Sequence, residues 1–321
     1  MLSPRFFTWA SPQIQPLEMN EDLTRMPHLI IVPCHSIWNQ FSQTDGTPNL
    51  GHLPEQWFLA PFQLEGNDHL AFIKHGLHAI LHLVKDVSNQ SVVVFSGSQT
   101  KLLAGCISEG QSYYFLMWRL INQVYQDEGL FPNDFPDDIL KLLKDIKAIM
   151  MLRSISVQTL FTSLVTTEDF ALDSFENLLF SLYRFKQFVG VFARKITIIG
   201  FGFKEKRFLR LHAKAIDFPI KNIQYVAVDP APTNYDSIKL KAYYDELDSL
   251  EFHNALNIFS SDWYGSKTAL KTKKKARNPF KRINNYEDVR LFELKDAIEN
   301  DEVFFETYIK GKMPWSPPSD S

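Results

Sequence analysis

A chain of 321 residues that is 45% hydrophobic, with 27 Phe, 11 Tyr and 6 Trp, carries too much apolar mass to remain unfolded in water. Thirty-four Lys plus Arg against 37 Asp plus Glu leave a net charge of −3, so a surface generally coated for nucleic acid is not indicated. Two cysteines, Cys34 and Cys106, cannot staple a chain this long, and no apolar run approaches the roughly 18 residues of a membrane helix.

Residues 1–25 form an N-terminal segment expected to be partly disordered. Met1–Leu17 holds one Arg and no acid, yet Phe6–Ala10 is too short for a secretory core and one Arg makes a poor transit peptide. The expected location is cytoplasmic. His28–Val32 is a compact β-like run ending at Pro33. Asp68–Asp86 sets Leu70, Ile73, Leu77, Ile80 and Val84 at helical spacing. His75, His78 and His82 share an arc nearly opposite that stripe; they are expected to face solvent, with no Cys or carboxylate in register to complete a metal site.

Ser91–Phe95 is a second β-like run, ended by Ser96-Gly97-Ser98. Ile107–Tyr125 and Asp137–Met150 read as helices on either side of the Pro-rich break Phe131–Pro136. Thr159–Val165 reads as a third strand, with Thr and Ser interleaved among its apolar residues. Asp173–Phe188 is a helix opened by an acid, as a helix N-terminus prefers. Lys195–Gly200 is a strand, Lys204–Ile216 a helix, and Ile223–Val228 a last strand stopping at Asp229-Pro230. This alternation predicts a Rossmann-like three-layer α/β sandwich over residues 26–232, with a mostly parallel central sheet of about five strands.

Residues 233–321 form a C-terminal extension of different character. Lys267–Arg282 holds eight basic residues and no acid, which leaves −11 on the rest of the chain. Such a run suits a nuclear-import signal, an anionic membrane patch or a solvated loop. Its aromatic flanks, Trp263-Tyr264 and Phe280, favour docking on the protein's own acidic surface with the Lys273–Lys275 tip exposed. Met313–Ser321 is Pro- and Ser-rich and expected to fray.

In a parallel sheet, ligands bind at the carboxyl ends of the strands. Those ends deliver Pro33-Cys34-His35-Ser36, then Ser96–Lys101, Thr166–Asp169, Gly200–Lys204 and Asp229. Ser96–Lys101 suits an anion or a ribose edge, but it is not a P-loop, and no Gly-x-Gly-x-x-Gly occurs. Cys34 and His35 are adjacent in extended chain and point to opposite sides, so a buried Cys and a loop His are expected rather than a catalytic pair. Glu168, Asp169, Asp173, Glu176 and Asn177 cluster within ten residues. Capping accounts for Asp169 or Asp173; surface solvation would account for Glu176 and Asn177 as well as a pocket would.

Val93–Thr100 followed by Ile107-Ser108-Glu109 resembles the Ser-Gly-Gly…Ser-Glu-Ala signature of the ElyC/SanA/YdcF-type domain family. Thr167–Leu178 looks like its Thr-x-Glu-Asn segment in fungal form. Ile198-Ile199-Gly200…Arg207 is similar to the segment where bacterial members place a His followed by an Arg, and Asp262–Phe280 resembles the fungal C-terminal extension. The resemblance implies a Rossmann-like domain largely without assigned activity, with S-adenosylmethionine as a possible cofactor. It points to Ser96, Gly97, Thr100, Glu109, Glu176, Asn177 and Arg207. Two departures stand out: Pro33-Cys34-His35 replaces a Gly-rich first turn, and Phe203 or Lys204 stands where bacterial members have His.

The expected function is small-molecule binding by an enzyme acting on a nucleotide-like or phosphorylated ligand. Ser96, Gly97, Ser98 and Thr100 would hold the anionic or ribosyl part, Asn177 a polar edge and Arg207 a carboxylate or phosphate. Glu109 or Glu176 would be the general acid–base. The rival reading is a non-catalytic adaptor built on a degenerate ligand-binding fold. No nucleic acid is expected as a partner, and no protein partner is indicated.

Overall fold

A computed structural model describes residues 27–42, 46–286, 289–293 and 300–316. The segment 1–25 and the last residues, 317–321, lie outside them. Five strands form one all-parallel sheet: β1 His28–Pro33, β2 Ser91–Ser96, β3 Val165–Glu168, β4 Lys195–Gly200 and β5 Ile223–Ala227. Their order is β3-β2-β1-β4-β5, the order of a dinucleotide-binding sheet without its sixth strand. The expected α/β sandwich is what the chain adopts.

Strand alternation sorts the core into two layers. Ile30, Val32, Val93 and Phe95 face helices α1 (Asp68–Lys85), α2 (Glu109–Gln126) and α3 (Asp137–Leu152). Leu29, Ile31, Val92, Val94, Ile196 and Ile198 face the other way. That second face is covered by α4 (Ser174–Val189) together with Tyr264, Leu270, Tyr286, Phe304, Ile309 and Trp315 from the extension. Two further helices of the extension are α5 (Ser237–Glu251) and α6 (Thr268–Ala276). Among the described residues no helix is long and apolar enough to cross a membrane.

Four expectations need correction. The third strand starts later than its pattern suggested, because Leu160, Phe161 and Leu164 lie at helical spacing and form a π-helical turn before Val165. Residues 204–216 are helical but irregular: a 3-10 turn at Gly202–Lys204, a π-helical turn at Arg207–His212, then Ala213–Ala215. His75 is buried rather than solvent-facing, its Nε2 2.8 Å from the Val228 carbonyl, while His78 and His82 are partly exposed. Helix α1 packs against the sheet and against both α2 and α3, so its buried arc is far wider than one apolar stripe. Finally, the chain does not fray from Met313: the Trp315 ring is buried and its Nε1 donates to the Ile216 carbonyl at 2.7 Å.

Candidate functional site

The strand order reverses at β1, which has β2 on one side and β4 on the other, so the carboxyl ends of these three strands frame the crevice. The chain leaves β1 with the Cys34 amide donating to the Ser96 carbonyl at 2.8 Å. Burial, then Glu109, pushes the Cys34 thiol well above its usual range, which makes it a poor nucleophile. The His35 ring stacks on Phe201 (4.9 Å, 14°), and Phe201 stacks on Phe203 (5.0 Å, 15°).

Lys204 lies along these rings, its Nζ 5.1 Å from the Phe201 centroid and 3.3 Å from His35 Nδ1. An ammonium group only donates, so Nδ1 accepts and neutral His35 carries its proton on Nε2. That Nε2 is buried with no hydrogen-bond partner among the described residues. Lys204 has no carboxylate within ion-pair distance among them either. Burial, then the Arg207 charge, pulls its ammonium down to about 7. At the start of α1, where a dinucleotide site would hold pyrophosphate, the chain puts Asp68, buried and pushed up to about 7 by that burial. An anion is therefore disfavoured there and drawn toward the β4 side.

On the β2 side the backbone is committed. Gly97 N donates to the Glu168 carbonyl and Ser98 N to the Ala171 carbonyl, both at 3.0 Å. A Cβ at Gly97 would sit 2.6 Å from Glu109 Oε2, so only Gly lets that carboxylate lie under the turn. Glu109 opens α2 behind the cap residue Ser108, accepts the Thr100 hydroxyl at 2.5 Å, and has Arg277 Nη2 3.8 Å away. Burial raises its pKa against the pull of Arg277. The Ser98 hydroxyl is buried without a partner among the described residues.

Ser96, Glu168 and Asn177 form a closed network. The Ser96 hydroxyl donates to Glu168 Oε2 at 2.7 Å, while Asn177 Nδ2 donates to the Ser96 carbonyl and hydroxyl. Glu168 also accepts from Phe170 N (2.7 Å), Ala171 N (3.2 Å) and the Tyr286 hydroxyl (3.4 Å). Burial still pushes it up to about 7.

Asp173 caps α4, accepting the Glu176 amide at 2.9 Å. Glu176 accepts from Leu172 N at 2.8 Å and from Lys274 Nζ at 3.0 Å, and the same ammonium stands 3.7 Å from Asp173 Oδ2. The lysine tip expected to be exposed is therefore split: Lys273 and Lys275 are exposed, but Lys274 is enclosed by two carboxylates. Arg207 is buried, with Nε 3.2 Å from Glu251 Oε1 of α5, in a geometry short of a hydrogen bond. No group of three or more His, Cys, Asp or Glu among the described residues is arranged to hold a metal.

The structure thus brings Thr100 and Glu109 together, and Ser96 with Asn177. Glu176 sits in the Lys274 contact and Arg207 against Glu251. Sequence reasoning did not select Glu168, His35, Lys204, Lys274 or Arg277 as site residues. Lys204 and His35 carried a signal as strand-end residues. For Lys274 and Arg277 the signal went only as far as docking of the basic run on the acidic body; the carboxylates they meet follow from tertiary folding, which returns α6 to the sheet edge. An open depression of about 410 Å³ lies elsewhere, lined by Ser266, Lys267, Thr268, Lys271, Thr272 and Lys275, on the face of α6 turned away from Leu270 and Lys274.

Over 297 residues the chain is 51% identical to the Saccharomyces cerevisiae protein described as Uncharacterized protein YOR238W, a match spanning 90% of this chain and 97% of the yeast protein. The chain belongs to the family of that protein. No family model matches the sequence, and no solved structure matches it. The match to YOR238W extends over nearly the whole chain, so it takes in most of the extension as well as the sheet.

Proposed function

We propose that this member of the YOR238W family binds a nucleotide-like or phosphorylated small molecule in the crevice at the ends of β1, β2 and β4, and acts on it as an enzyme. The observation that carries this reading is Lys204: an enclosed ammonium with no carboxylate at ion-pair distance among the described residues, acted on by Arg207 and Arg277 against Glu251 and Asp68. An enclosed cation without a directly paired counter-charge is costly, and an anionic ligand supplies one. Lys204 and Arg207 would hold the anion. The buried donor of His35 and the hydroxyls of Ser98 and Thr100 would take neighbouring polar edges. Glu109, raised by burial, is the acid–base candidate. The Gly97 and Ser98 amides are already bonded, and Ser96 and Asn177 hold the frame around the site.

The resemblance to the ElyC/SanA/YdcF-type family keeps S-adenosylmethionine among the ligands to test; its carboxylate suits Arg207 and its sulfonium Glu109. The ammonium of Lys204, unpaired among the described residues, favours a phosphorylated ligand over it. A cytoplasmic location belongs to the same reading, in keeping with the free thiols of Cys34 and Cys106. Thermal unfolding of the full chain with pyrophosphate, AMP, ADP, S-adenosylmethionine and S-adenosylhomocysteine tests the proposal. A phosphorylated ligand should raise the melting temperature, and Lys204→Met should remove that rise. No shift with any of the five would sink it.

The adaptor reading draws on one observation: Ser96, Glu176 and Asn177 all spend their polar groups inside the protein. Under it, no ligand of the panel stabilises the chain.

A further inference from the structure

Five charged groups around the strand ends meet a partner from beyond residue 232. Glu109 meets Arg277, Asp173 and Glu176 meet Lys274, Glu168 meets Tyr286, and Arg207 meets Glu251. Three of the residues that reach inward come from one face of α6 and its end, at positions 270, 274 and 277. These are spaced i, i+4, i+7, so they stack along the helix. Leu270 is buried in the second core layer, Lys274 sits between two carboxylates one turn on, and Arg277 stands over Glu109 at the helix end.

We propose that Arg277 is a ligand-binding residue, delivered into the crevice by the C-terminal extension and positioned there by the Lys274 ion pairs. This rests on the anion-binding reading above. Two features separate Arg277 from a structural ion pair. Its Nη2 is 3.8 Å from Glu109, beyond hydrogen-bond distance, and Glu109 Oε1 already takes the Thr100 hydroxyl. Its side chain is 46% exposed and makes no hydrogen bond among the described residues, so its five donors are open to a ligand. Arg277 is close enough to depress the protonation of Lys204, His35 and Arg207, so three cations share the crevice with the carboxyl groups of Glu109, Glu251 and Asp68. The open donors of Arg277 suit an anion, and a guanidinium near an ammonium fits the two adjacent phosphoryl groups of a diphosphate. In this arrangement the sheet alone is an incomplete site; α6 supplies its third cation.

Calorimetric titration of the full chain with inorganic pyrophosphate tests the assignment. Arg277→Gln should bind about tenfold more weakly, the loss of one charge-assisted contact, while the unliganded protein melts within about 2 °C of the parent. Lys274→Met should weaken binding and lower the melting temperature together, and Lys274→Arg should restore both. If Arg277→Gln binds like the parent while Lys204→Met does not, the Arg277 assignment is wrong and the anion site survives. If the parent itself does not bind pyrophosphate, both fall.

Discussion

Asn177 gives one side-chain amide group to two oxygens of a single residue, the carbonyl and the hydroxyl of Ser96, at 3.0 and 2.9 Å. With Ser96 donating onward to Glu168, this ties the first turn of α4 to the ends of β2 and β3. Asn177→Ala would leave the Ser96 carbonyl without that donor in a buried position. Urea unfolding should show a loss of about 2 kcal/mol. A loss below about 0.5 kcal/mol would mean that the contact does not hold the frame.

Two glycines make a paired test of backbone against side-chain crowding. A Cβ on Gly110 would lie 2.6 Å from the Phe95 carbonyl oxygen and 3.0 Å from that of Glu168, both fixed in strands. A Cβ on Gly76 would lie 2.6 Å from the sulfur of Met117, which can swing aside. Gly110→Ala should therefore destabilise by about 2 kcal/mol or more, and Gly76→Ala by clearly less. Equal losses would refute the distinction.

His28 bridges three strands, with Nδ1 2.8 Å from Ser91 Oγ and Nε2 2.8 Å from Thr197 Oγ1. Burial, then Lys195, lowers its pKa to about 4. The unfolded chain thus binds the extra proton between pH 6.5 and 4, so this residue's contribution is whole above pH 6.5 and is lost as pH falls through 4. On that count the parent should lose about 3 kcal/mol more than His28→Gln between pH 7 and pH 4. Parallel pH profiles would show that His28 does not titrate this way.

Within the basic segment the lysines should behave unequally. Lys273 and Lys275 are exposed, and replacing both by Ser should leave the melting temperature within about 2 °C. Lys274 is 18% exposed between Asp173 and Glu176; removing its charge strands two enclosed carboxylates and should cost about 3 kcal/mol. Reversed sensitivities in thermal unfolding would contradict the docked geometry.

Strands β1, β2 and β4 were legible because buried parallel strands read as unbroken apolar runs between turn residues, and Lys195–Gly200 matches its expected bounds. The third strand was not, since four residues at a sheet edge leave little pattern and a helical turn precedes them. His75 misled because a helical wheel shows one apolar arc and cannot show how many layers enclose it. At the site, Ser96, Thr100 and Asn177 stood out at a strand end and in the polar cluster and Glu109 through the family resemblance, but how they pair is seen only in the fold. The contacts of Lys274 with Glu176, 98 residues away, were not legible, because nothing local in either segment encodes the other.

The second face of the sheet is closed by residues as late as Trp315, whose ring packs on Phe192 and Tyr183 and whose indole bonds the Ile216 carbonyl. Synthesis runs from the N-terminus at about 5–20 residues per second. All five strands and α4 are therefore made well before Tyr264, Tyr286, Phe292 and Trp315, the side chains that pack on Phe175, Phe180 and Tyr183 of α4, exist. For several seconds the nascent chain would carry α4 with the apolar groups of Phe175, Phe180 and Tyr183 uncovered. A chain cut short near residue 232 would keep that surface permanently, and would be captured by chaperones or aggregate rather than persist as a smaller working protein.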